Sequence, residues 1–140
     1  MDRQEELAKE LGGFALFADL SDPELRAAVE AFDEASFQEG DRVLRQGLSG
    51  SGFYIIIRGE ASIRLDGTDR TSLGKGDFFG EISILLGEKP VADVVALSPL
   101  HCLVLPGEQV QGFLTAYPQV MFRMLKAQAR RLRETNQWSS

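Results

Sequence analysis

The chain has 140 residues, a length that suits one domain around one core. Its composition, 44% hydrophobic and 26% charged, is that of a soluble globular protein, and a net charge of -6 opposes nonspecific attraction to nucleic acid or to an anionic membrane. A single cysteine and a single histidine exclude an internal disulfide and nearly exclude a structural zinc site.

The N-terminal stretch MDRQEELAKE is polar and charged, so it does not read as a secretory signal. No apolar run approaches the roughly 20 residues that span a bilayer. With the lone thiol of Cys102, these features predict a cytoplasmic protein without a membrane segment. The first 35 residues read as helical. In SDPELRAAVEAF, Ser21 caps a helix and Glu24 completes a capping box, with Pro23 tolerated in the first turn. Leu25, Ala28, Val29 and Phe32 then fall on one face.

From about Phe37 the period changes. VLRQG, FYIIIRG, ASIRL, RTSLG, DVVAL and HCLVL are short, rich in β-branched or aromatic residues, and punctuated by Gly, Asp and Ser. Asp66-Gly67 predicts a tight hairpin turn after Ile63-Arg64-Leu65. Short strands at this spacing predict a small barrel or double-sheet roll rather than a parallel sheet. Within the stretch, FFGEISILLGEKPVADVVA sets Gly80 and Glu81 before a short helix-forming run, Ile82 to Leu86, and holds no arginine.

After Pro106 the pattern is helical again: EQVQGFLTAY is one short helix, and Pro118 opens a second that runs to about Asn136. On the second, Met121, Leu125, Ala129 and Leu132 form an apolar stripe that serves either the core or a partner, as in a homodimer or docking to a larger protein. Arg123, Lys126, Arg130 and Arg133 form a basic stripe on another face, read as solvated. His101 and Cys102 are strand neighbours that point to opposite faces, so they cannot form a catalytic pair. Asp66, Asp69 and Asp77 suggest turns, not a metal cage.

The ordered motifs resemble the cyclic nucleotide-binding domain of kinase regulatory subunits, catabolite-activator-type transcription factors and nucleotide-gated channels. LFADLSDPEL looks like that family's N-terminal helical lead-in. FQEGDRVLRQGLSGSGFYIIIRGEASI looks like its glycine-marked strand corners, with Gly40, Gly47, Gly50 and Gly59 in register. LGKGDFFGEISILL looks like the start of its phosphate-binding cassette. The resemblance covers nearly the whole chain. It implies an α+β fold: an antiparallel, jelly-roll-like β-roll of about eight strands (36–106, cassette 78–95), N-terminal helices (1–35) and two C-terminal helices (107–138), together one domain over 1–140.

The resemblance also implies a site. Phe79, Gly80, Glu81, Ile82 and Ser83, then Lys89, Pro90, Val91 and Ala92, would line a pocket for cyclic AMP or cyclic GMP. In the family the carboxylate takes the ribose 2′-hydroxyl, the glycine amide approaches the cyclic phosphate, and an arginine pairs with the phosphate. Glu81 takes the first role; a carboxylate satisfying amides of its own turn is the alternative. The arginine's position holds Pro90, which offers neither a fork of donors nor an N–H. A hydrogen bond to a charged group contributes about 1.5–3 kcal/mol and stranding a buried charge costs about 3–5 kcal/mol, so the arginine's loss predicts affinity lower by roughly one to three decades. Lys89 is either a surrogate phosphate contact or a solvated loop residue. Trp138 is either a lid over a base or a packing residue. No cofactor, no metal and no DNA-binding module after the last helix are expected.

The sequence therefore predicts a noncatalytic regulatory or sensory domain that signals through its C-terminal helices, with cyclic nucleotide binding weakened or lost. A ligand-independent interaction or dimerisation module, or a binder of an uncharged nucleoside, is the alternative.

Overall fold

A computed structural model describes residues 2–48 and 52–139, with side chains through residue 134. Its backbone groups into two compact units, Glu30–Gln111 and a helical unit of Met1–Val29 with Gly112–Ser140.

In the first unit, eight antiparallel strands form two four-stranded sheets among the described residues. The strands are β1 (Asp33–Phe37), β2 (Arg42–Leu44), β3 (Gly52–Arg58), β4 (Ala61–Leu65), β5 (Thr68–Leu73), β6 (Phe78–Phe79), β7 (Asp93–Ala96) and β8 (Leu100–Pro106). One sheet runs β1-β8-β3-β6, the other β2-β7-β4-β5. Leu44, Ile56, Ala61, Leu73, Phe79, Val94 and Cys102 belong to one buried cluster that draws on both sheets. The roll predicted from short punctuated strands is therefore present.

The turn predicted at Asp66-Gly67 joins β4 to β5. Both residues have positive φ, 52° and 79°, which a primed two-residue hairpin turn requires. The first strand starts at Asp33, four residues before the change of period at Phe37. Asp-Glu-Ala-Ser carries little intrinsic strand preference, and pairing with β8, Asp33 opposite Val104 through Phe37 opposite Leu100, makes it a strand. The short β6 falls where the sequence shows only the start of the cassette; two residues give no alternation to detect.

The helical unit holds α1 (Arg3–Gly12), a 3-10 turn (Ala15–Phe17), α2 (Asp22–Val29) and α5 (Pro118–Ser139); α4 (Gly107–Ala116) leads into it from the roll. The capping box closes as expected: Glu24 N–H donates to Ser21 Oγ at 3.3 Å, and Ser21 N–H donates to Glu24 Oε1 at 2.9 Å. Leu25, Ala28, Val29 and Phe32 are all buried. The stripe on α5 departs from one of its two expected uses. Met121, Leu125, Ala129 and Leu132 are exposed, and among the described residues of this helix Val120 and Met124 are the buried ones. Periodicity alone marks where an apolar stripe lies on a helix, not which of two stripes meets the core.

Candidate functional site

Glycine and a buried carboxylate sit at the junction of β6 and the short helix α3 (Glu81–Leu86). β6 is held on β3, with Phe79 opposite Tyr54, and the two rings stack at 4.8 Å with planes 3° apart. The chain then turns at Gly80, which caps α3 with φ 92°. A Cβ there would lie 2.1 Å from the Gly52 carbonyl oxygen, so only glycine lets the turn approach β3 this closely. Ser83 is buried, and its hydroxyl donates to the Gly80 carbonyl at 3.3 Å. Gly87, also left-handed, ends the helix.

Glu81 is 1% exposed and its Oε2 atom is fully enclosed. A carboxylate has about four acceptor positions, so one fixed in a turn still has capacity for a ligand's hydroxyls. Phe79, Gly80, Glu81 and Ser83 are thus brought together on one buried turn. Ile82 faces solvent, as do Leu85 and Leu86.

The second part of the predicted site follows α3. Lys89 is exposed, Pro90 buried, Val91 exposed and Ala92 half-buried. The Pro90 carbonyl accepts a hydrogen bond from the Gly47 amide at 2.8 Å. Asp93 Oδ1 accepts the Gln46 amide at 2.7 Å. Half-buried Asp93 thereby ties the segment after β2 to the start of β7. Gln46 also holds the hairpin: its side-chain amide donates to Asp66 Oδ1 at 3.0 Å, and its Oε1 accepts the Asp66 amide at 3.1 Å.

Sequence reasoning missed Gln46 and Gly47 as neighbours of this segment. Their amides reach the Asp93 carboxylate and the Pro90 carbonyl, more than 40 residues away in sequence, and so leave no local pattern. Gly50 lies outside the described residues, and so does the side chain of Trp138, the candidate lid. Among the described residues no cluster of three or more His, Cys, Asp or Glu could hold a metal ion, and no helix is long and apolar enough to cross a membrane. Burial pushes the Cys102 thiol up to about 12, which makes it an inert core residue.

A family profile described as "Cyclic nucleotide-binding domain" matches residues 34–117, from β1 through the cassette to the end of α4. The chain belongs to the cyclic nucleotide-binding domain family. It is 34% identical over 93 residues to a cAMP-dependent protein kinase regulatory subunit of Debaryomyces hansenii, a match covering 66% of this chain and 21% of that protein. The chain therefore spans about a fifth of the length of that relative. Among solved structures, it resembles the Thermus thermophilus catabolite activator protein at 29% identity and a TM-score of 0.78, covering 87% of this chain and 60% of that one. The fold also matches the regulatory subunit of a cAMP-independent protein kinase A from Trypanosoma brucei, with TM-score 0.82 and 24% identity over 99% of this chain and 50% of that one. The β-roll with flanking helices is thus the family's fold, and cyclic nucleotide binding is the activity the family is named for.

Proposed function

We propose that this chain is a noncatalytic regulatory module whose cassette keeps the ribose side of a nucleotide pocket and has lost the phosphate side. Buried Pro90 carries this reading. It stands where the family's arginine would be, and its one backbone polar group is already bonded to Gly47. A cyclic phosphate brought there would be a monoanion without a planar cationic fork. Lys89 is a solvated loop residue in this account. Glu81, enclosed beside Gly80, is retained for a sugar hydroxyl, which favours an uncharged nucleoside over its cyclic phosphate. The output is a change in the C-terminal helices, driven only by a ligand's differential affinity for two states. The lone, buried Cys102 supports a cytoplasmic setting.

Thermal unfolding with each of cyclic AMP, cyclic GMP, adenosine and guanosine at about 1 mM tests this. A ligand bound with micromolar affinity would add about 4 kcal/mol at that concentration and raise Tm by more than about 10 °C. The cyclic nucleotides are expected to shift Tm by less than about 5 °C, no more than their nucleosides do. A large shift with cyclic AMP or cyclic GMP alone would overturn the assignment.

A further inference from the structure

The outer face of the β1–β8 pair carries three linked side chains that the cassette does not use. Burial alternates along β1: Ala35 and Phe37 are half-buried, while Glu34 and Ser36 are exposed. On β8, Cys102 is buried in the core, and its neighbour His101 is half-buried on the opposite face. Ser36 lies directly opposite His101 in the ladder. Their side chains meet: Ser36 Oγ is 2.9 Å from His101 Nδ1, and His101 Nε2 is 2.8 Å from Glu34 Oε1. An ionised Glu34 only accepts, so Nε2 carries the ring hydrogen and Nδ1 offers its lone pair to the Ser36 hydroxyl. A serine, a histidine placed to take its proton and a carboxylate that orients the histidine are the parts of an activated nucleophile.

Strand β1 stays in place without this chain of contacts. Five ladder pairs join it to β8, and a hydrogen bond on an exposed face adds little to stability. The same face holds a cation. A bulge between Ile56 and Arg58 sets Arg58 opposite His101, so Ser36, His101 and Arg58 form a row across three strands.

We propose that Ser36 is a covalent acylation site, with His101 as its base and Glu34 as the residue that positions the base. The acyl donor is a small carboxylic ester with a good leaving group, such as an aryl ester. Ser36 Oγ attacks the carbonyl carbon and forms the new C–O bond, and the hydroxyl proton passes to His101 Nδ1. Glu34 remains ionised beside the imidazolium. Arg58 brings positive charge to the face on which the tetrahedral oxyanion forms. The bond from the carbonyl carbon to the aryl oxygen then breaks. The aryloxide departs with the electron pair, and the imidazolium gives its Nδ1 proton to the aryloxide or to water. Ser36 ends as an ester and His101 as the neutral ring. The chain's own hydroxyl is consumed, so the step is a modification and not a turnover.

Incubation with p-nitrophenyl acetate, followed by peptide mapping in a mass spectrometer, tests the assignment. Wild type is expected to release nitrophenolate in a burst and to carry an acetyl group on the peptide that holds Ser36. Ser36→Ala is expected to lose both. His101→Gln and Glu34→Gln are expected to acylate Ser36 at least about tenfold more slowly, while melting at nearly the same temperature as wild type. The wild-type rate is expected to fall in acid as His101, flanked by Glu34 on β1 and Arg58 on β3, takes up a proton. His101→Gln is expected to lose that limb of the pH profile, which a merely structural contact would not move. Acetyl groups confined to lysines and the N-terminal amine overturn the proposal. So does a Ser36 that acylates at the wild-type rate in His101→Gln or in Glu34→Gln. None of these readouts involves the cassette, so the nucleotide reading stands or falls separately.

Discussion

Gly80 has two separate reasons to be glycine. Its φ of 92° is unfavourable for any other L residue, and a Cβ would meet the Gly52 carbonyl at 2.1 Å. Gly40 shares the conformation, φ 90°, with nothing within 4 Å of its would-be Cβ. The backbone term alone is about 1–2 kcal/mol. Gly80→Ala is therefore expected to destabilise the fold by clearly more than Gly40→Ala, by about 1 kcal/mol or more beyond it, since the collision is with backbone that cannot swing aside. Urea denaturation of the two variants checks this, and equal losses would mean that β6 and β3 part easily. The glycine-carboxylate pair was legible in the sequence because adjacent residues form it. Its surroundings were less so. Nothing local to Gln46 or Gly47 shows that their amides close on Asp93 and Pro90, and nothing local to Tyr54 shows that it stacks on Phe79.

At the scale of elements, the β4–β5 hairpin shows how a polar cluster acts on stability. Asp69 accepts from the Ser62 hydroxyl at 2.8 Å and pairs with Arg64. The Ser62 hydrogen bond first, and the Arg64 side chain next, hold the Asp69 carboxyl below its ordinary value. A carboxyl lowered in the folded state stabilises fully above the unfolded value near 3.9, and that contribution fades as pH falls through the lower, folded value. Asp69→Asn should thus be less stable than wild type at pH 7, with the gap closing below about pH 4. Melting temperatures of both proteins between pH 7 and pH 3 report it; a gap that widens in acid would contradict the assignment. The elements themselves were unevenly legible. Helix α2 and the Asp66-Gly67 hairpin carry their signals within four residues, as a capping box and a paired positive φ. Strand β1 does not, because Asp33 to Ser36 become a strand only through β8. The α5 stripe was visible as a stripe, but which side of the helix meets its own unit depends on Val120, Met124 and Arg123 finding partners elsewhere in the chain.

For the molecule as a whole, charge is unevenly distributed: Arg123, Lys126, Arg130, Arg131 and Arg133 share α5 with one acid, Glu134, while the chain carries -6 overall. The architecture could be anticipated because turn residues between short apolar runs limit an antiparallel chain to few closures. The ligand could not, since it depends on the charge at one buried position. Family membership argues for a nucleotide; Pro90 argues against its phosphate. The central claim is that the pocket's shape persists without its anion partner. Calorimetric titration of cyclic AMP into wild type and into Pro90→Arg tests it most directly. The account predicts weak or undetectable heat for wild type and an affinity at least about tenfold higher for Pro90→Arg, the gain of one charged hydrogen-bonding partner. Micromolar binding by wild type, with no gain from the arginine, would contradict it.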